Sequence, residues 1–150
     1  MTFRTSIRVR FGDEDHARIA YFPRIVHFFH CAFEDFFDHQ GHPYRKVLDE
    51  DGYGWPAVHL DVDFQSPLRF GDDFDVEVRV TKLGTKSATF RYDGSVGGRP
   101  AASATITVAC IDMKTFRGVP IPDVYRELFS RHLDLPAEGG PGGEAAPDAD

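Results

Sequence analysis

Between Ile25 and Phe37 the chain places Ile25, Phe28, Phe29, Ala32, Phe33, Phe36 and Phe37 at spacings of one, three and four. That spacing lays a wide apolar stripe along one side of a helix, and any fold for this chain must bury it. Pro23 suits the first helical turn, where the amide proton it lacks would have no intrahelical partner, and Gly41 supplies the left-handed residue that closes the other end. The helix is therefore predicted from about Phe22 to about Gln40. Asp13, Glu14 and Asp15 lie just upstream of its start. Unpaired amides and the helix dipole there favour negative charge or an electron-rich oxygen. A carboxylate beside such a start is an arrangement able to act on a carbonyl.

On either side of this helix the period changes from helical to two. Phe3, Ile7, Val9 and Phe11 fall on one face of a first strand, with Arg4, Ser6, Arg8 and Arg10 on the other. After Gly54, Val58, Leu60, Val62 and Phe64 alternate with His59, Asp61 and Asp63. A turn-rich SPLRFGDD then leads into Phe74, Val76, Val78 and Val80 alternating with Asp75, Glu77, Arg79 and Thr81. A fourth strand runs from about Lys86 to Val96. Gly97-Gly98 makes a hairpin turn into a fifth, from about Pro100 to Asp112, whose second face (Ser103, Thr105, Thr107, Ala109) is small and hydroxylic. Short helices are predicted over Pro43 to Asp51 and Pro122 to Leu133.

The connections between the last four strands are too short for parallel crossovers. One antiparallel sheet wrapped on one long helix follows, an α+β arrangement. A single long helix covers only part of a sheet face, so at least a dimer is expected.

The chain has 150 residues, 14 of them Phe, enough for one domain with a substantial core. Of the net charge of −7, Asp134, Glu138, Glu144, Asp148 and Asp150 supply −5. The rest is nearly neutral, with no basic run of the kind that tracks phosphate backbones, which disfavours nucleic-acid binding. Residues 134–150 are too rich in Gly, Pro and acid to bury anything and are expected to be a disordered tail on a domain spanning 1–133. No apolar run is long enough for a membrane span, and the N-terminus alternates instead of forming a signal-peptide block, so a cytoplasmic protein is expected. Cys31 and Cys110 have neither metal-ligand nor redox spacing and are expected to be buried thiols.

The string FGDEDHARIAYFP, residues 11–23, resembles the segment F-G-D-x-D-x-A-G-I-V-x-[FY]-P of the hotdog-fold acyl-CoA thioesterases, in particular the 4-hydroxybenzoyl-CoA thioesterase family. The later PLRFGDDFDVEVRVTKLGTKSATF is similar to that family's third and fourth strands. The resemblance implies a hotdog fold, with a five- or six-stranded antiparallel sheet wrapped around one long central helix. It also implies hydrolysis of an acyl-CoA or aroyl-CoA to free acid and CoA, with no metal or other cofactor, in a homodimer or homotetramer. It places the catalytic carboxylate at Asp15, as nucleophile or as general base. It assigns the thioester oxygen to the backbone amide of Phe22.

Where the motif has Gly this chain has Arg18, which offers neither a positive backbone dihedral nor close substrate approach, but can place a cation beside the carboxylate or the CoA phosphates. The family reading also makes His30, on the helix flank, a candidate contact to the acyl group. Ser87 and Thr89 are candidates to line the CoA channel from a partner subunit, with structural hydroxyls as the plainer reading. His59 is open to a substrate contact, a sheet-surface role or a subunit-interface role. The row of Arg4, Arg8 and Arg10 is open to CoA phosphates or to a solvated strand face. His27, His30 and Glu34 share one helix face but lack a metalloprotease pattern or a second ligand cluster, so no metal is expected. Two other functions remain compatible: a non-catalytic acyl-CoA-binding protein, and a hydratase on the same fold using Asp15 with His16 or His30.

Overall fold

The computed structural model describes residues 2–134. The elements run β1 (Phe3–Arg8), a 3-10 turn (Phe11–Asp13), α1 (Phe22–His39), α2 (Tyr44–Asp49), β2 (Tyr53–Gly54), β3 (Ala57–Phe64), β4 (Asp73–Leu83), β5 (Ser87–Val96), β6 (Arg99–Ala109), β7 (Ile111–Asp112) and α3 (Asp123–Ser130). Five strands form one antiparallel sheet in the order β1-β4-β5-β6-β3. This is the hotdog arrangement, with α1 lying along one face of the sheet.

All seven apolar positions of the α1 stripe are buried. Their rings meet edge-on contacts from the sheet and from α3: Phe36 lies 5.8 Å from Phe3 and 5.8 Å from Phe90, and Phe37 lies 5.9 Å from Phe129. Burying each such ring contributes roughly 1.5–3 kcal/mol. Gly94 in β5 makes one of these packings possible, because a methyl there would overlap the Phe74 ring. Gly97 and Gly98, with φ of 55° and 82°, form the two-residue turn between β5 and β6.

Several expectations are corrected. β1 ends at Arg8, and the chain turns into the 3-10 segment, so Phe11 is 81% exposed instead of sharing the core face of Phe3 and Val9. The predicted fifth strand breaks at Cys110, and the short β7 beyond it pairs with β2 in a separate two-stranded sheet. Cys31 is half-buried, while Cys110 is buried and its thiol is pushed up to about 11 by that burial.

After α3 the chain returns to β4. The Val80 amide donates to His132 (2.9 Å), and the Asp134 amide donates to Val80 (2.7 Å), on the stretch that β1 leaves unpaired. The rest of the expected tail, residues 135–150, lies outside the described residues. Among the described residues no helix is long and apolar enough to cross a membrane.

Candidate active site

The acidic stretch folds as a small hairpin pinned between the sheet and the start of α1. Val9 donates to Asp72 and accepts from Gly71, both at 2.9 Å, which fixes the exit from β1. Asp13 turns inward. Its Oδ2 accepts from the Arg10 amide at 2.8 Å and its Oδ1 lies 3.9 Å from Arg24 Nε, so it caps the local backbone. Glu14 and Ala20 then bridge as antiparallel neighbours. Between them the Asp15 amide donates to Ile19 (3.0 Å) and the Arg18 amide to Asp15 (3.0 Å).

The Asp15 side chain is exposed, and its Oδ1 accepts from the Ala17 amide at 2.7 Å, which orients the carboxylate and leaves Oδ2 uncommitted. Arg18 has φ of 64°, so the expectation that Arg would not supply the positive dihedral is overturned: the arginine itself adopts it. Hydrogen bonds on both sides of the turn impose that conformation on a residue that would ordinarily avoid it.

The hairpin delivers the chain directly to the helix. The Tyr21 amide donates to Asp13 (2.9 Å) and the Ala20 amide to Leu68 (2.7 Å). Tyr21 is the extended N-cap residue, with no side-chain cap. Of the amides in the first turn, Arg24 donates to Tyr21 (2.7 Å) and Pro23 has none to offer. The Phe22 amide therefore stands without an acceptor among the described residues, at the positive end of an 18-residue helix. Its side chain is 61% exposed and meets Phe64 of β3 edge-on at 6.4 Å.

Along the same helix flank lies a cavity of about 490 Å³, between α1, α2 and the β3/β6 side of the sheet. Val26, His30 and Phe33 line it from α1 and Leu60 from β3. At a rise of about 1.5 Å per residue, Val26 is ~6 Å and His30 ~12 Å along the axis from Phe22. His30 Nε2 pairs with Glu34 Oε2 at 3.0 Å. The sequence reading placed His30 on this flank but missed Tyr44, Trp55 and Tyr92, which also line the cavity. For Tyr92 a signal was present: a tyrosine in the inward row of a strand whose neighbours are Ala88 and Phe90 needs a hydrogen-bond partner that the row itself does not supply.

The structure does not bring the remaining candidates to this place. The registers put His59 opposite Thr107 and Thr107 opposite Thr89, on the sheet face turned away from α1, and Thr89 Oγ1 lies 2.9 Å from Thr107 Oγ1. Ser87 follows the same face and is 8% exposed. A larger depression of about 770 Å³ on that outer face is bordered by Arg4 but by none of His59, Ser87 and Thr89. Two of its charges are matched, Arg4 to Glu77 at 2.8 Å and Arg91 to Asp93 at 3.1 Å. Arg8 is likewise paired with Asp73, at 2.8 Å. Among the described residues no group of three His, Cys, Asp or Glu side chains is placed to hold a metal ion.

The fold is that of the hotdog thioesterases, and the comparisons with known proteins agree. Residues 9–129 match the family model described as the Thioesterase-like superfamily, and the chain belongs to that superfamily. A 1,4-dihydroxy-2-naphthoyl-CoA hydrolase of Synechococcus elongatus is 30% identical over 127 residues, which cover 84% of this chain and 93% of the relative. A crystal structure from the thioesterase superfamily of Jannaschia sp. superposes with a TM-score of 0.85 at 30% identity, covering 89% of this chain and 94% of the other. A gentisyl-coenzyme A thioesterase gives a TM-score of 0.77 at 27% identity, covering 83% and 99%.

Proposed function

We propose that the chain is an acyl-CoA thioesterase of the 4-hydroxybenzoyl-CoA thioesterase type, cleaving an aroyl-CoA to the free acid and CoA, with Asp15 as its catalytic carboxylate. The thioester carbonyl lies at the start of α1, its oxygen accepting from the Phe22 amide. The acyl group follows the helix flank past Val26 toward His30, into the 490 Å³ cavity. Asp15 attacks the carbonyl carbon itself, forming a mixed anhydride that water then opens, or takes a proton from the water that attacks. In both routes negative charge grows on the carbonyl oxygen, where a preorganised amide is most effective, and collapse expels the CoA thiolate. The observation that carries this reading is the unpaired Phe22 amide beside a carboxylate hairpin, at the head of an apolar cavity.

The working unit is a homodimer or a dimer of dimers in the cytoplasm. Seven of the eight residues of the edge strand β3 are exposed. Val58 and Phe64 are half-exposed apolar side chains, Phe64 beside the exposed ring of Phe22, a poor surface to leave in water and a good one to pair with a second copy. Arg18, beside the carboxylate, meets the CoA phosphates. His59, Ser87 and Thr89 contribute to CoA binding only where a second subunit brings the outer sheet face to the ligand.

Free-thiol release tests the reading directly. The panel is 1,4-dihydroxy-2-naphthoyl-CoA, gentisyl-CoA, 4-hydroxybenzoyl-CoA and straight-chain acyl-CoAs, with wild type and Asp15→Asn side by side. The aroyl esters are expected to turn over, and Asp15→Asn to lower kcat/KM about a hundredfold, the usual size of a general-base effect. Turnover untouched by the substitution removes Asp15 from the mechanism. Saturable binding of the esters with no thiol release makes the protein a binding module instead of an enzyme.

A further inference from the structure

Besides His30 and the sealed Trp55 indole, the hydrogen-bonding side chains in the otherwise apolar wall of the acyl cavity are two tyrosines. Tyr92 reaches it from β5, its ring 5.4 Å from Phe29 and only 2% of the residue exposed. Its hydroxyl has no hydrogen-bond partner among the described residues. Nor is that oxygen fully sealed from solvent, and the residue lines the cavity. Tyr44 lines the same cavity from α2, held by ring contacts to Phe33 (5.7 Å), Phe37 (5.5 Å) and His30 (6.1 Å). Its hydroxyl also lacks a partner among the described residues, while its backbone amide is anchored to Asp38 Oδ1 at 3.1 Å.

We propose that the Tyr92 and Tyr44 hydroxyls are the specificity element of this cavity, reading a hydroxyl or ketone oxygen carried on the acyl group's ring, remote from the thioester. Both phenols are protonated in neutral solution. Burial, reinforced by the nearby Glu34 carboxylate, pushes the Tyr44 phenol up to about 12. Burial and the neighbouring Tyr44 phenol raise Tyr92 further. A neutral phenol both donates and accepts, so each can satisfy a ring hydroxyl in either sense, or donate to a ketone oxygen. Leaving them unmatched inside an apolar pocket is unfavourable, and that gives such a site its selectivity. An acyl ring without the polar group displaces the water that served the phenols and returns nothing.

This inference rests on the thioesterase reading for its substrate, and the test separates the two. The matched pairs are 1,4-dihydroxy-2-naphthoyl-CoA against 2-naphthoyl-CoA and 4-hydroxybenzoyl-CoA against benzoyl-CoA. Wild type is expected to favour the hydroxylated member by tenfold or more in kcat/KM. Tyr92→Phe is expected to collapse that ratio at least tenfold, and Tyr44→Phe to narrow it less. The change is nearly isosteric and removes a hydroxyl with no partner among the described residues, so the Tm of Tyr92→Phe should stay at or above wild type. A lowered Tm with an intact ratio would mean that the hydroxyl serves the fold, and would overturn the proposal.

Calorimetric binding of free 1,4-dihydroxy-2-naphthoate and 2-naphthoate supplies a readout that needs no turnover. Preferential binding of the hydroxylated acid that Tyr92→Phe abolishes, without thiol release from any ester, sinks the hydrolase reading and keeps the phenols. Absence of preference in wild type, in both assays, sinks the phenols and leaves hydrolysis standing.

Discussion

The apolar face of α1 and the hairpin from Glu14 to Ala20 are neighbours in the chain and are held by opposite means. The helix face is fixed by rings. Phe36 alone touches Phe3, Phe37, Phe90, Phe129 and His132, and none of its surface is exposed. In the hairpin, Asp15 to Arg18 are all exposed, and backbone hydrogen bonds together with one carboxylate-to-amide bond give it its shape. Stability resides in the first region and the proposed chemistry in the second, so substitutions in the two should have separable consequences.

The largest effect belongs to the helix. Phe36→Ala should lower unfolding stability by about 3–5 kcal/mol, the usual range for emptying an aromatic site in a core, as read by denaturant unfolding. The thiol-release rate per folded molecule should change far less. Asp15→Asn should show the reverse: the roughly hundredfold activity loss, with stability within ~0.5 kcal/mol of wild type, because asparagine keeps the Oδ1 acceptor for the Ala17 amide. If both variants lost stability and activity in parallel, the division between the regions would fail.

Arg18→Gly probes the hairpin itself with the smallest effect. Glycine removes the penalty of a left-handed residue and adds freedom to the unfolded chain, and the balance should be a gain of about 0.5 kcal/mol. Arg18→Val, β-branched at the same dihedral, should lose more than that. A loss on glycine substitution would mean that the guanidinium, and not the turn, holds the loop.

How much of this was legible in the sequence follows the same division. The stripe from Ile25 to Phe37 predicted both the helix and its buried side, because helical periodicity over four turns is a strong signal. The strand alternations and the Gly97-Gly98 turn gave the sheet. Phe11 was misplaced because alternation does not reveal where a strand stops, and three residues of 3-10 turn sufficed to send that ring into solvent. β2 and β7, two residues each, are too short to carry a period. Asp15 was singled out through its motif, whereas Tyr44 escaped notice because the cavity joins α2 to β5, elements whose meeting no local pattern encodes. Arg18 was read through the habits of its side chain, and its backbone was decided instead by hydrogen bonds on both sides.

Trp55 is the chain's single tryptophan. It is 5% exposed, packed 5.3 Å from Phe129 and 5.5 Å from Tyr125, and it forms part of the cavity wall. All indole fluorescence from the folded protein therefore originates at one place, in an apolar setting that emits toward the blue. An aromatic acid entering the cavity changes what faces that ring, and unfolding exposes it to water. The molecule thus carries an unlabelled optical gauge whose intensity follows occupancy and whose wavelength follows folding, so the two properties assigned to its two regions can be watched in one cuvette.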